Sequence, residues 1–173
     1  MESKPSKFQL KRVLVQGKIS PLKESRQLAG AFGELLKYEE WTGNRLRVVG
    51  TEDGLPVTEN AGPWKISIKP TDSASVIEIK GLFFAHDRSV CIDLAGKTLF
   101  VGDAAFVGSE IGGKSPMFQN TEFTGYSFKN DEFGSAAILF LNDGRLVLDF
   151  HKTIVDGTRA QECGVLAGRK TVD

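Results

Sequence analysis

Residues 136–150 read AAILFLNDGRLVLDF, and this stretch decides the fold class. Two apolar runs of strand length, 136–141 and 145–150, flank Asn142-Asp143-Gly144. Asn, Asp and Gly are the residue types that a tight turn between antiparallel strands requires, because they tolerate a positive φ. The stretch therefore predicts a β-hairpin.

Similar short patterns, each bounded by turn residues, recur on both sides of this hairpin. Residues 64–69, for example, alternate Trp, Ile and Ile with polar neighbours, as expected of a strand with one buried face. The other strand patterns lie at 8–16, 45–49, 75–84, 90–94, 98–101, 122–129 and 162–166. Short strands at near-regular spacing predict a curved, mainly antiparallel sheet or a partial β-barrel.

One helix is predicted near the N-terminus. Ser20-Pro21 is a suitable helix start, and Gly43 is suited to the left-handed cap at the end. Apolar residues between them recur every three or four positions: Leu22, Leu28, Ala29, Phe32, Leu35 and Leu36. The predicted fold class is α+β, with one N-terminal amphipathic helix packed on the sheet. The chain of 173 residues is expected to form a single domain, 1–173, with residues 1–6 frayed.

Gly62-Pro63-Trp64 opens one of the predicted strands. These three residues resemble the Gly-x-Trp start of lipocalin-type barrels, in which the tryptophan closes the floor of the barrel. From this likeness we take only the expectation that Trp64 is a core residue.

Charge and hydropathy exclude several classes of function. The 22 basic residues balance 22 acidic residues, so the chain has no cationic excess with which to bind nucleic acid or an anionic membrane. No run approaches the roughly 18 apolar residues of a membrane span. Residues 1–7 are polar and lack the apolar core of a secretory signal, so a cytoplasmic location is expected. Cys91 and Cys163 are expected to be buried thiols rather than a disulfide framework.

Residues 108–115, GSEIGGKS, match the phosphate-loop pattern G-x-x-x-x-G-K-[ST]. A phosphate loop needs a helix directly after it, because the helix N-terminus helps to hold the phosphates. Pro116 follows at once, and residues 117–128 have no helical period. Nucleotide binding at 108–115 is therefore only the third hypothesis, after two others.

Four polar residues at predicted strand ends are candidates for chemistry: His86, Asp87, Asp103 and His151. A His–Asp pair can act as a general base, and two histidines with a carboxylate can bind zinc. Asp149 and His151 are expected on one face of their strand, with Phe150 on the other. A turn or strand end carrying such residues is more often an ordinary surface. Neither an enzyme nor a resident metal or cofactor is therefore expected.

Residues 102–134 are predicted to form a long loop region rich in Gly and Phe. Apolar aromatic residues on a long connection are typical of a surface that binds a partner. The candidates here are Phe106, Phe118, Phe123 and Phe128. The leading hypothesis is a non-enzymatic binding protein, such as an adaptor, an inhibitor or an immunity-type factor, that acts on a protein through this region.

The alternative hypothesis is a small β-barrel that binds or transforms an apolar small molecule. His86, Asp87, Asp103 and His151 would then lie at its mouth. This hypothesis requires the four side chains to converge around one cavity.

Overall fold

Strands dominate the chain in the computed structural model, which describes residues 21–172. Helix α1 (Pro21–Leu28) and a 3₁₀-helix (Gly30–Lys37) precede the strands, and a second 3₁₀-helix (Pro116–Phe118) lies between two of them. The strands are β1 (Tyr38–Glu52), β2 (Leu55–Pro70), β3 (Val76–Lys80), β4 (Val90–Asp93), β5 (Thr98–Val101), β6 (Ala104–Ser115), β7 (Thr121–Asn130), β8 (Gly134–Leu141), β9 (Leu146–Asp149), β10 (Ile154–Val155), β11 (Thr158–Arg159) and β12 (Cys163–Thr171). The predicted strand at 8–16, the Ser20 cap and the frayed residues 1–6 lie outside the described residues.

All strands except β10 and β11 form one closed antiparallel barrel. The order around it is β1-β12-β9-β8-β7-β6-β5-β4-β3-β2, and β1 closes the circle by pairing with both β2 and β12. Strands β10 and β11 form a separate hairpin in the connection between β9 and β12. The predicted curved antiparallel sheet is confirmed, and so is the hairpin at 136–150, whose Gly144 has a φ of 93°.

The interior of the barrel is filled by apolar side chains from alternate positions of the strands. Trp64, Ile66 and Ile68 are buried as their pattern predicts, and Nε1 of Trp64 donates a hydrogen bond to the carbonyl of Gly81 at 2.9 Å. The same core includes Trp41, Ile77, Ile79, Val90, Ile92, Leu99, Phe106, Tyr126, Phe128, Ile138, Leu146, Leu148 and Leu166. Because this core fills the interior, the ends of the barrel are where a ligand can be accommodated.

The predicted helix is wrong in length. The α-helix stops at Leu28, and Gly30, with a φ of 55°, starts a 3₁₀-helix that ends where β1 begins at Tyr38. Gly43 is not a helix cap but lies within β1, where a Cβ atom would come 1.9 Å from the carbonyl oxygen of Val165. Leu28, expected on the apolar face, is 58% exposed. No helix within residues 21–172 is both long and apolar enough to cross a membrane.

The segment predicted as a long loop, residues 102–134, consists mainly of long strands, and residues 51–63 also lie in long strands. Residues 51–63 belong to a hairpin in which β1 and β2 pair across the two-residue turn Asp53-Gly54. Residues 102–134 contain β6 and β7, which pair continuously from Val107–Lys129 to Ser115–Thr121. Glycine has a low intrinsic preference for strands, but pairing with a neighbouring strand overrides such local preferences.

The antiparallel topology separates the connections between strands into two ends. At the end that we call the mouth lie the β1–β2 turn, the β3–β4 loop (81–89), the β5–β6 turn (102–103), the β7–β8 turn (131–133) and the β9–β12 connection (150–162). At the other end the 3₁₀-helix enters β1. There Phe32 is fully buried and stacks on Tyr126, with 4.1 Å between ring centroids. Nε1 of Trp41 donates to the carbonyl of Leu35 at 3.1 Å, which anchors this segment to the barrel.

Candidate functional site at the mouth of the barrel

A cavity of about 680 Å³ opens between the β1–β2 hairpin, the β3–β4 loop and the β9–β12 connection. We call it the mouth cavity. Its lining combines apolar side chains with three arginines and comprises Arg45, Leu46, Arg47, Val48, Ala61, Gly62, Pro63, Phe84, His151, Arg159, Gln161, Glu162 and Cys163. The volume falls within the roughly 300–1,000 Å³ of typical small-molecule sites.

Arg45 forms the part of this cavity nearest the core. Its guanidinium carbon lies 4.7 Å from the ring centroid of Trp64 and 5.5 Å from that of Phe84. Nη1 donates to the carbonyl of Pro63 at 3.2 Å, but Nε is buried without a hydrogen-bond partner. Burial lowers the pKa of Arg45, and the nearby carboxylate of Glu162 opposes that shift. Arg45 is thus a charged donor close to two aromatic rings, and its buried Nε–H has no hydrogen-bond partner.

Glu162 fixes the loop that carries the aromatic wall of the cavity. Its buried carboxylate accepts hydrogen bonds from the backbone N–H groups of Phe84, at 3.0 Å, and Gln161, at 3.2 Å. Phe84 itself is 82% exposed. The strand predicted at 75–84 is shorter than expected, because β3 ends at Lys80, and Phe84 lies in the loop that follows. An exposed phenylalanine beside a cavity is a surface available to an apolar ligand.

Asp149, His151 and Cys163 form a cluster at the rim of the cavity. Asp149 on β9 is the register partner of Cys163 on β12. The carboxylate of Asp149 contacts Nδ1 of His151 and accepts the backbone N–H of His151 at 3.3 Å. Phe150 between them is fully buried, so Asp149 and His151 lie on the side away from it as predicted, although β9 ends at Asp149 and His151 belongs to the turn that follows. A carboxylate oxygen, an imidazole nitrogen and the thiol sulfur all lie within 4.8 Å of one another.

The thiol of Cys163 is not poised for nucleophilic attack. Burial, with a further contribution from the charge of Asp149, raises its pKa to about 12. At neutral pH the group is therefore a protonated thiol, whereas nucleophilic attack requires the thiolate. A Cys–His–Asp arrangement is present by geometry, but its electrostatics do not support covalent catalysis.

His86 belongs to a second cluster at the mouth. Its Nδ1 lies 3.6 Å from Oδ2 of Asp156, and Arg88 forms an ion pair with the same carboxylate. Asp103 lies beside this pair, in a smaller cavity of about 280 Å³ that Arg88 and Asp156 also line. Asp87 is exposed and lines a separate depression formed by residues 79–89.

The four candidate residues therefore share one end of the barrel but not one cavity. Only His151 lines the mouth cavity, whereas His86, Asp87 and Asp103 belong to the two neighbouring depressions. Among residues 21–172, the cluster of potential metal ligands contains one histidine, so the hypothesis of a site with both histidines is not supported.

No protein-family model matches the sequence, and neither a curated protein nor a solved structure matches it. A function is therefore proposed from the residues at the mouth of the barrel.

The phenylalanines of the β6–β7 hairpin divide into two pairs. Phe106 and Phe128 are fully buried in the barrel core and offer no surface to a partner. Phe118 and Phe123 are half-buried, and Phe118 lies under the guanidinium of Arg145, 5.5 Å from its ring centroid. The interpretation of Phe106 and Phe128 as binding residues is replaced by a structural role, while Phe118 and Phe123 remain candidates.

The GSEIGGKS segment is part of strand β6. Each residue from Gly108 to Ser115 pairs with a residue of β7, and Lys114 lies opposite Glu122. Pro116 begins a three-residue 3₁₀-helix rather than an α-helix. A phosphate loop curls its backbone N–H groups around the ligand, a conformation that a paired strand does not offer. The structure thus gives no support to the nucleotide hypothesis.

Sequence reasoning found His151 and Asp149 but missed the residues that complete the site. Arg45 was only the first residue of the strand pattern at 45–49, and Cys163 was expected to be a buried thiol. Both are placed at the mouth by pairing between β1, β12 and β9, which joins segments more than 100 residues apart. For Cys163 one local signal was present in the sequence. Alternation around Leu166 places Cys163 and Val165 on one face of the strand and Gly164 and Leu166 on the other.

Proposed function

We propose that the protein binds a small organic acid with an apolar body in the mouth cavity. The observation that carries this proposal is the buried Nε of Arg45, which has no hydrogen-bond partner. Leaving a buried donor on a charged group unsatisfied costs about 1–3 kcal/mol or more, and a carboxylate or phosphate ligand would remove that cost.

The charges around the cavity favour an anion. Of its three arginines, Arg47 already forms an ion pair with Glu59, whereas Arg159 is exposed at the rim. The acidic residue in the lining, Glu162, is engaged by two backbone N–H groups. Arg45 and Arg159 therefore provide positive charge for a ligand, and arginine is well suited to a planar carboxylate because it donates in a fork.

The apolar lining favours a ligand with a hydrocarbon or aromatic body. Phe84 presents its ring to solvent beside Leu46, Val48 and Pro63. Burying such side chains against a ligand gains about 25 cal/mol for each Å² of apolar surface removed from water. An acid with an apolar tail would satisfy Arg45 and cover Phe84 at the same time.

The test is calorimetric titration with octanoate and 3-phenylpropionate, each compared with its uncharged amide. We expect the acids to bind and the amides to bind at least about 10-fold more weakly, because a hydrogen bond to a charged group is worth about 1.5–3 kcal/mol. Arg45→Met should weaken binding of the acids about 10- to 100-fold. Arg169→Met, which removes an arginine that bonds to Thr42 outside the cavity lining, is the matched control.

A second readout separates a ligand-binding role of Arg45 from a structural one. If Arg45 serves a ligand, Arg45→Met should leave the free protein as stable as the wild type or more stable, because a partly unsatisfied charge is removed. Equal binding of acids and amides, or unchanged binding by Arg45→Met, would refute the proposal.

A protein partner at the β6–β7 hairpin is the second candidate function. Ile111 and Met117 are exposed there, in the same part of the hairpin as the half-buried Phe123 and Phe118, and Val107 is 67% exposed further along β6. Affinity capture with wild-type protein and with Met117→Asp tests it, and Val49→Asp on the β1–β2 hairpin is the control. Capture of the same proteins by all three forms would exclude this candidate.

A further inference from the structure

We infer that Asp149, His151 and Cys163 bind a divalent transition metal ion, with zinc as the expected ion. The inference goes beyond the proposed organic-acid function, and it departs from the expectation drawn from the sequence that no metal is held. It rests on the juxtaposition of three different donor groups at the rim of the mouth cavity, which the sheet register creates.

The donor atoms are close to the spacing that a metal needs. Bonds of about 2.0–2.3 Å from zinc to nitrogen, oxygen and sulfur place tetrahedral ligand atoms roughly 3.3–3.6 Å apart. The three donor atoms here lie within 4.8 Å of one another. That upper limit is within about 1.5 Å of the spacing between the ligands of one bound zinc ion.

The backbone that carries the donors is held by the sheet. Asp149 and Cys163 are directly opposite in the β9–β12 ladder, and the ladder continues with the N–H of Phe150 donating to the carbonyl of Glu162 at 2.7 Å. The N–H of His151 is bound by the Asp149 carboxylate. Asp149 and Cys163 are therefore held on paired strands, which position donors more accurately than free loops do, and His151 lies in the turn directly after β9.

The donor set selects the kind of ion. A thiolate with an imidazole favours zinc and related transition metals, whereas magnesium and calcium require oxygen ligands. The charges of a thiolate and a carboxylate balance the charge of the ion, which leaves the site neutral beside the arginines of the cavity. The thiol proton passes to solvent when the thiolate binds the metal.

The protein supplies three of the four ligands of a tetrahedral metal ion. Three protein ligands leave one tetrahedral position, the arrangement found in zinc sites that bind water or a substrate. His151 and Cys163 both line the mouth cavity, so that position is reached from the cavity. A carboxylate ligand held by Arg45 would lie in the same cavity as the ion.

The experiment is a titration of the full chain, first stripped with a chelator, with Co²⁺ followed by absorbance and then with Zn²⁺ as competitor. We expect one equivalent of Co²⁺ to produce a thiolate-to-cobalt charge-transfer band in the near ultraviolet, and Zn²⁺ to abolish it. Cys163→Ser should remove the band, and Asp149→Asn should weaken Co²⁺ binding at least about 10-fold. Cys91→Ser, which changes the other cysteine, should leave the band intact.

The Co²⁺ titration can contradict the inferred metal site in three ways. Absence of the band in wild-type protein, its persistence in Cys163→Ser or its loss in Cys91→Ser would each overturn the inference. Circular dichroism of each variant shows whether the barrel is still folded, and Cys163→Ala serves if the serine variant is not. Binding of octanoate to chelator-treated protein is measured alongside, so failure of the metal site is distinguishable from failure of the acid site.

Discussion

Asp156 accepts hydrogen bonds from both Nε and Nη2 of Arg88, a residue 68 positions earlier in the chain. The pair joins the β3–β4 loop to the turn of the β10–β11 hairpin, and His86 lies beside the same carboxylate. The hydrogen bond and charge of Arg88 hold the pKa of Asp156 below its usual value, and Asp156 raises the pKa of Arg88. This pair links two of the segments that form the mouth.

Replacement of Arg88 should therefore change the acid titration of the protein. In Arg88→Gln we expect the pKa of Asp156 to rise towards its ordinary value, measured by NMR of the carboxyl carbon. Because the pKa of Asp156 is depressed in the folded state, its stabilising contribution is present above the unfolded pKa and is lost as pH falls through the folded pKa. The difference in unfolding free energy between wild type and Arg88→Gln should shrink over that acidic range.

Arg145→Gln is the control for this titration, because Arg145 lowers the pKa of Asp143 at the opposite end of the barrel. It should move the titration of Asp143 and leave that of Asp156 unchanged. A pKa of Asp156 that is the same in wild type and Arg88→Gln would contradict the assigned cause.

Replacement by alanine should have different effects on stability at two glycines of β1. A Cβ atom at Gly43 would lie 1.9 Å from the carbonyl oxygen of Val165, whereas one at Gly50 meets no heavy atom within 4 Å. Gly43→Ala is expected to lower the unfolding free energy by about 1–3 kcal/mol, because the closed barrel cannot accommodate it without a backbone shift. Gly50→Ala should change it by less than about 0.5 kcal/mol or raise it slightly. Urea denaturation measures both variants, and equal stability of Gly43→Ala and Gly50→Ala would contradict the close approach at Gly43.

Gly43 was predicted as a helix cap and is found within a strand, and this difference shows which parts of the fold the sequence could predict. Alternation in residues 64–69 and the turn at Asn142-Asp143-Gly144 are local signals, and both predicted their elements correctly. Residues 38–44 read as the end of a helix because the preceding apolar spacing suits one. Only pairing with β2 and β12 makes them a strand, and that pairing is with distant residues.

Phe32 and Leu28 should differ strongly in their contribution to stability, although the sequence pattern put both on one apolar face. Phe32 is fully buried against Tyr126, whereas Leu28 is mostly exposed. Phe32→Ala is expected to cost about 3–5 kcal/mol, and Leu28→Ala less than about 0.5 kcal/mol. Thermal and urea unfolding measure both. Similar losses for the two variants would mean that the segment packs as one continuous amphipathic helix.

Nucleotides should leave the protein unaffected. Because residues 108–115 are a paired strand, Mg·ATP and Mg·GTP are expected to cause no shift in thermal unfolding, whereas saturation at 100 times Kd would add about 2.7 kcal/mol. Lys114→Ala should behave like the wild type. A stabilisation by nucleotide that Lys114→Ala removes would restore the phosphate-loop interpretation.

The candidate site was harder to predict from sequence than the fold. His151 and Asp149 are close in the chain, so strand alternation was sufficient to place them together. Arg45 and Cys163 reach the same cavity through the register of three strands, and a single sequence does not specify register between distant segments. The burial that leaves Nε of Arg45 without a partner is likewise a property of the folded mouth alone.

The closure of the barrel through β1 also sets an order for its biosynthesis. Trp41 on β1 pairs with Gly168 on β12, so within residues 21–172 the earliest barrel strand has its second edge covered only after the latest one has been synthesised. Until then β1 presents unpaired N–H and C=O groups that can pair with another nascent chain. Contacts this distant in sequence also slow folding. A translation arrest before β12 would therefore release an open sheet prone to edge-to-edge aggregation.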